Sequence, residues 1–131
     1  FIPVMLGTGG NVGTQAATIA VRNLALDKAI VTSSAAMLFR EAKVGTLLGI
    51  AFGIILGGYA AIRFEPMLGI AIAVSTLSTV FCAALLGMLV PLTLNRIKID
   101  PAVATGPFVT TTIDLIAILI YFSTCVSILH L

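Results

Sequence analysis

One carboxylate, Asp114, is the single Asp, Glu, Lys, Arg or His in residues 101–129. A carboxylate inside a run this apolar is costly to keep, and by default it marks an ion or proton path. It follows the triplet Thr110-Thr111-Thr112. On a helix, Thr110 and Pro107 lie four and seven residues before it on the same face, and Tyr121 lies seven after. Counted as helix from Pro101, Asp114 is 13 residues in, roughly 20 Å at 1.5 Å per residue and so nearer the middle of a membrane than its edges. No Lys or Arg occurs at matching depth to pair with it. Three readings are open: a hydrated cation site, a proton-carrying acid, and a carboxyl held neutral by threonines. The first is preferred.

A second cluster is Gly9-Gly10-Asn11-Val12-Gly13-Thr14-Gln15. With Pro3 and Gly7 before it, this half of the segment is a poor continuous helix, and a broken one is expected. Irregular backbone at membrane depth survives only where protein or a water-filled cavity satisfies it, and broken helices often present carbonyls to an ion. Asn11 and Gln15 are four apart, hence on one face, each with an amide oxygen. A close-packed glycine bend with bridging amides is the equal alternative. A nucleotide loop fails, because no strand precedes the glycines and no Lys-Ser/Thr follows. No enzymatic function is expected.

The donor set narrows the ion. No His sits inside a span and no Cys lies beside Asp114, which disfavours zinc and copper. One carboxylate with hydroxyls and carbonyls suits a hard cation, and magnesium in particular is often held by one or two carboxylates through retained waters. A single Asp is thin for a divalent ion. A symmetric dimer would bring two to a shared axis.

The elements that position these residues are membrane helices. The sequence is 60% hydrophobic and 9% charged, where a soluble domain carries about 25% charge. Residues 1–21, 44–62 and 66–95 contain no Asp, Glu, Lys, Arg or His, and about 20 apolar residues suffice to cross a bilayer. The fold class is therefore all-α, a polytopic transmembrane bundle forming one domain. Four spans are expected, at about 1–24, 44–62, 67–92 and 101–129, with a polar connection at 27–43 and a short one at 95–100. Within the connection, residues 30–39 could lie on the membrane surface as an amphipathic helix, with Ser33 and Ser34 as caps. In the second span Gly45, Gly49, Gly53 and Gly57 recur every fourth residue, a smooth ridge for close helix contact. Ser75, Thr76, Ser78 and Thr79 are expected to bond back to their own helix or across to a neighbour, and Pro91 to kink the end of the third span.

Residue 1 is Phe and no basic leader precedes the apolar stretch, so the chain is expected to be part of a longer one. Cys82 and Cys125 fall inside spans as free thiols, and His130 is incidental. Net charge is +2, too small and dispersed for nucleic acid. Of seven basic residues, Arg22, Lys28, Arg40, Lys43, Arg96 and Lys98 fall on one side and only Arg63 on the other. The positive-inside rule then makes 27–43 and 95–100 cytosolic, with both chain ends outside.

Pro3-Val4, Gly9-Gly10-Asn11, Gly13, Gln15 and Arg22-Asn23-Leu24-Ala25 resemble the second membrane helix of the MgtE magnesium transporters. Asp100-Pro101-Ala102, Gly106-Pro107, Thr110-Thr111-Thr112 and Asp114 resemble that family's fifth and last. The resemblance covers the whole chain, with the first helix of a five-helix domain absent. It implies a homodimeric magnesium channel in the lipid bilayer, pointing to a bacterial inner (plasma) membrane, with Mg2+ as transported and bound ion. By position it assigns Asp114 and the Thr110 carbonyl to hydrated Mg2+. Gly9, Gly10, Asn11, Gln15, Pro107 and Thr111 would line a pore between subunits. The family's cytosolic regulatory domains are also absent. Alternatives are a sodium- or proton-coupled divalent-cation carrier and a non-transporting helical scaffold subunit.

Overall fold

The structure is a computed structural model that describes residues 1–26, 33–104 and 106–129. Among these it contains four α-helices and no strand: α1 (Ile2–Ala25), α2 (Ser34–Arg63), α3 (Pro66–Arg96) and α4 (Pro107–Leu129), with a short 3-10 turn at Pro101–Ala104 before α4. The transmembrane all-α expectation is met by α2, α3 and α4, each long and apolar enough to cross a membrane. The helix α1 has 24 residues, roughly 36 Å of rise. Its glycines, threonines and amides keep it outside that apolar group.

Helix α3 is the hub. Half of its most apolar window is buried, against 17% for α4, and it packs on α1, α2 and α4. Three small apolar clusters hold the bundle. Ala17, Ala83, Val109 and Ile113 join α1, α3 and α4; Ala20, Met37, Met88 and Leu92 join α1, α2 and α3; Val12, Val80 and Ala84 join α1 to α3, with Leu48 of α2 against them. These contacts run α1 parallel to α3 and antiparallel to α4.

The glycine ridge of α2 is a helix contact, as its spacing indicates. A β-carbon on Gly53 would lie 3.0 Å from the Ala73 carbonyl oxygen, and one on Gly57 would lie 2.7 Å from that of Gly69. The backbones of α2 and α3 therefore approach closely enough that only hydrogen fits between them. Lipid tails are as apolar as leucine, so dispersion at short range supplies the attraction. The same device recurs at the α1–α3 crossing, where a β-carbon on Gly87 would meet the Gly13 carbonyl and Ala16.

Several sequence expectations change. The first segment is unbroken helix from Ile2 to Ala25, because Gly9 and Gly13 sit against α3 and α4, which fix them in place. Helix α2 begins ten residues before the expected span. Ser33 caps it, its Oγ accepting from the Ala36 amide at 3.2 Å, so residues 34–39 continue into the span instead of forming a separate surface helix. Residues 27–32, Lys28 included, and His130 lie outside the described residues. Helix α3 continues through a buried Pro91 to Arg96. The buried hydroxyls of Ser75 and Thr76 donate to the carbonyls four residues back, both at 2.7 Å, whereas the buried Thr79 Oγ1 has no partner among the described residues.

Replacing Gly57 by Leu should lower the thermal stability of the detergent-purified protein by about 1–3 kcal/mol or more, the usual cost of overpacking. Gly58→Leu, one position round the helix with open space beside it, should leave the melting curve close to wild type.

Candidate metal centre

Asp114 is positioned by an abrupt helix start. Gly106 has φ +81°, a left-handed conformation that glycine adopts without penalty, and it turns the chain out of the 3-10 segment. Pro107 then occupies the first helical turn, where its fixed φ suits a helix and its missing N–H is not needed. The Gly106 carbonyl accepts from the Thr110 amide at 3.2 Å and from the Thr110 hydroxyl at 3.1 Å.

The helical ruler drawn from Pro101 is therefore wrong, since α4 begins six residues later. Depth is better read on α1. A β-carbon on Gly10 would lie 3.8 Å from Asp114 Oδ1 and 3.7 Å from the Thr110 methyl. Gly10 is twelve residues from Arg22 along α1, roughly 18 Å. The carboxylate lies between α1 and α4 at the level of Gly10, although it is only seven residues into its own helix.

Asp114 is half-buried and makes no hydrogen bond or ion pair among the described residues. No threonine hydroxyl donates to it among the described residues. Thr110 Oγ1 donates to the Gly106 and Pro107 carbonyls and Thr112 Oγ1 to the Phe108 carbonyl at 2.8 Å. Thr111 and Pro107 are exposed. Among the described residues no three His, Cys, Asp or Glu side chains gather, so at this level one subunit offers one carboxylate.

The glycine-rich segment divides its work by face. Gly9 and Gly13 are packing positions: a β-carbon on Gly9 would press the Thr79 methyl at 3.2 Å, and one on Gly13 would strike Ile113 and come within 3.2 Å of the Ala83 carbonyl. Gly10 borders Asp114. Asn11 and Gln15 are exposed and line an open groove of about 480 Å³ with Thr14, Thr18 and Ile19. Neither amide has a partner among the described residues, while Thr14 and Thr18 donate to the Gly10 and Thr14 carbonyls at 2.8 Å. Gly10, Thr110 and Asp114 are thus brought together, with Asn11 and Gln15 on the adjoining face of α1.

A family model, MgtE, described as a divalent cation transporter, matches residues 2–124. The chain belongs to the MgtE family. It is 37% identical over 123 residues to the magnesium transporter MgtE of Thermus thermophilus, covering 94% of this chain and 27% of that protein. The magnesium transporter MgtE of Enterococcus faecalis is 35% identical over 124 residues, again 94% of this chain and 27% of the relative. That of Bacillus subtilis is 29% identical over 131 residues, 99% of this chain and 29% of the relative. The chain spans less than a third of the length of these curated relatives. MgtE proteins are transporters, not enzymes, and this chain with its three long apolar helices is an integral membrane protein.

Sequence reading passed over Glu41. It lies on α2, 6% exposed, four residues before Gly45. The four-residue period that marks the glycine ridge extends back through Glu41 to the buried Met37, and that continuation was the available signal.

Gly10→Ala should be tolerated, since its methyl would meet only ordinary van der Waals contacts beside Asp114. Gly13→Leu should fold poorly. Thermal melts of the two variants check this, and equal melting temperatures would contradict the assigned faces.

Proposed function

We propose that this chain is the ion-conducting part of a magnesium transporter, working as a homodimeric channel in which hydrated Mg2+ is recognised by paired Asp114 carboxylates. The observation that carries the reading is the unpartnered, half-buried Asp114 roughly 18 Å from Arg22 along the bundle. It is supported by the curated relatives, which are magnesium transporters.

The chemistry follows from hydration. Mg2+ sheds water reluctantly, so a site that leaves the shell intact needs negative charge at a distance and hydrogen-bond acceptors for the bound waters. Asp114 supplies charge, and the Thr110 carbonyl supplies an acceptor. Asn11 and Gln15 would add amide oxygens along α1, with Gly10, Pro107 and Thr111 lining the same path and Gly9 packing behind it. An amide facing hydrocarbon without a partner costs roughly 2–7 kcal/mol. Those two amides therefore call for water or protein over them, and a second subunit enclosing an aqueous path provides both. Six of seven basic residues at one end orient 27–43 and 95–100 to the cytosol of a bacterial inner membrane.

Even at the dielectric of bulk water, a dication about 6 Å from a carboxylate is held by roughly 1.4 kcal/mol, a factor of ten. Asp114→Asn in the full-length protein should therefore lower potential-driven Mg2+ influx into liposomes ~10-fold or more. Equal influx would remove Asp114 from the mechanism. Influx that needs a sodium or proton gradient would indicate a coupled carrier.

A further inference from the structure

A cavity of about 320 Å³ lies between α1 and α2 at the end of the bundle that carries Arg22 and Arg40. It is separate from Asp114. Its polar wall is Gln15, Arg22 and Asn23 of α1 with Arg40 and Glu41 of α2, and its apolar wall includes Ile19, Val44 and Leu48. Glu41 is more than nine-tenths buried, and among the described residues it makes no hydrogen bond or ion pair within 4.0 Å. A carboxylate in the packing seam of a membrane helix without a partner is costly and calls for one. Two guanidinium groups border the same space, so the cavity presents one buried acceptor of cations and two donors suited to phosphate.

We propose that this cavity binds the headgroup of an amine-bearing phospholipid, its ammonium donating to the Glu41 carboxylate and its phosphate lying on Arg22 and Arg40. A bare divalent cation fits poorly, since two arginines oppose it beside one carboxylate. A simple anion leaves Glu41 unpartnered. A zwitterion with adjacent ammonium and phosphate satisfies all three groups. The apolar wall continues the cavity toward the hydrocarbon, where Ile19 and Val44 are exposed, and an acyl chain can lie along it. Basic pockets between membrane helices near the headgroup level are known places for lipid headgroups. On the outer side of α2, Lys43 Nζ sits 4.5 Å over the ring of an exposed Phe39, an amphipathic pair suited to the same interface.

The test is the thermal stability of the full-length protein in detergent with added phosphatidylethanolamine, phosphatidylcholine, phosphatidylglycerol or soluble phosphoethanolamine. Phosphatidylethanolamine should raise the melting temperature by several degrees, and half-saturate at least tenfold lower concentration than phosphatidylcholine, whose methylated amine cannot donate to Glu41. Glu41→Gln should abolish that preference, and Arg22→Gln with Arg40→Gln should weaken both lipids. Equal effects of the two lipids on wild type, or no effect of either because another helix fills the cavity, overturn the proposal without reference to any variant. An unchanged preference in Glu41→Gln, stronger stabilisation by phosphatidylglycerol, or full stabilisation by soluble phosphoethanolamine overturns it as well.

Discussion

The closeness with which helix backbones can approach governs everything else in this bundle. In lipid there is no hydrophobic drive between helices, so attraction comes from short-range packing. Gly53 and Gly57 bring α2 against the carbonyls of α3, and Gly13 meets Gly87 where α1 crosses α3. This makes α3 a hub with three partners and fixes α1 and α4 on its other flank. Once those two helices are held, Gly10 falls opposite Asp114 with no side chain between them.

The same packing leaves polarity uncovered. Ser75 and Thr76 are buried and self-satisfied, as soluble-protein logic also requires. Among the described residues, Asn11 and Gln15 are exposed without partners, and Asp114 is half-buried without one. A membrane protein that leaves amides and a carboxylate outside its own hydrogen bonds needs water or another subunit there. An ion path has use for both. Glu41 poses the same physical problem on the seam between α1 and α2, and its two arginine neighbours give that place a different chemistry.

Much of this was legible in the sequence because membrane constraints are severe. Long uncharged stretches gave the helices, the every-fourth-residue glycines gave the α2–α3 seam, and a lone carboxylate among threonines drew attention to Asp114. Gly9 to Gln15 misled because glycine has low helix propensity in water, whereas α3 and α4 enforce helix around Gly9 and Gly13. The start of α4 was also missed: Pro101 and Pro107 both suit a helix start, and the left-handed Gly106 decides between them. Glu41 was hidden by its position in a polar connection, since burial depends on α2 starting at Ser34. The division of α1 into a packing face and an uncovered face needs the positions of its neighbours.

If ions pass beside Asp114, the uncovered face of α1 must border water. Single cysteines at Asn11, Gln15 and, on the outer face of α2, Ile54, in a background lacking Cys82 and Cys125, test it by their reaction with a charged, membrane-impermeant thiol reagent. Cysteines at 11 and 15 should react and be slowed by millimolar Mg2+, while the one at 54 stays inert. Cysteines at 11 and 15 as unreactive as that at 54 would contradict it.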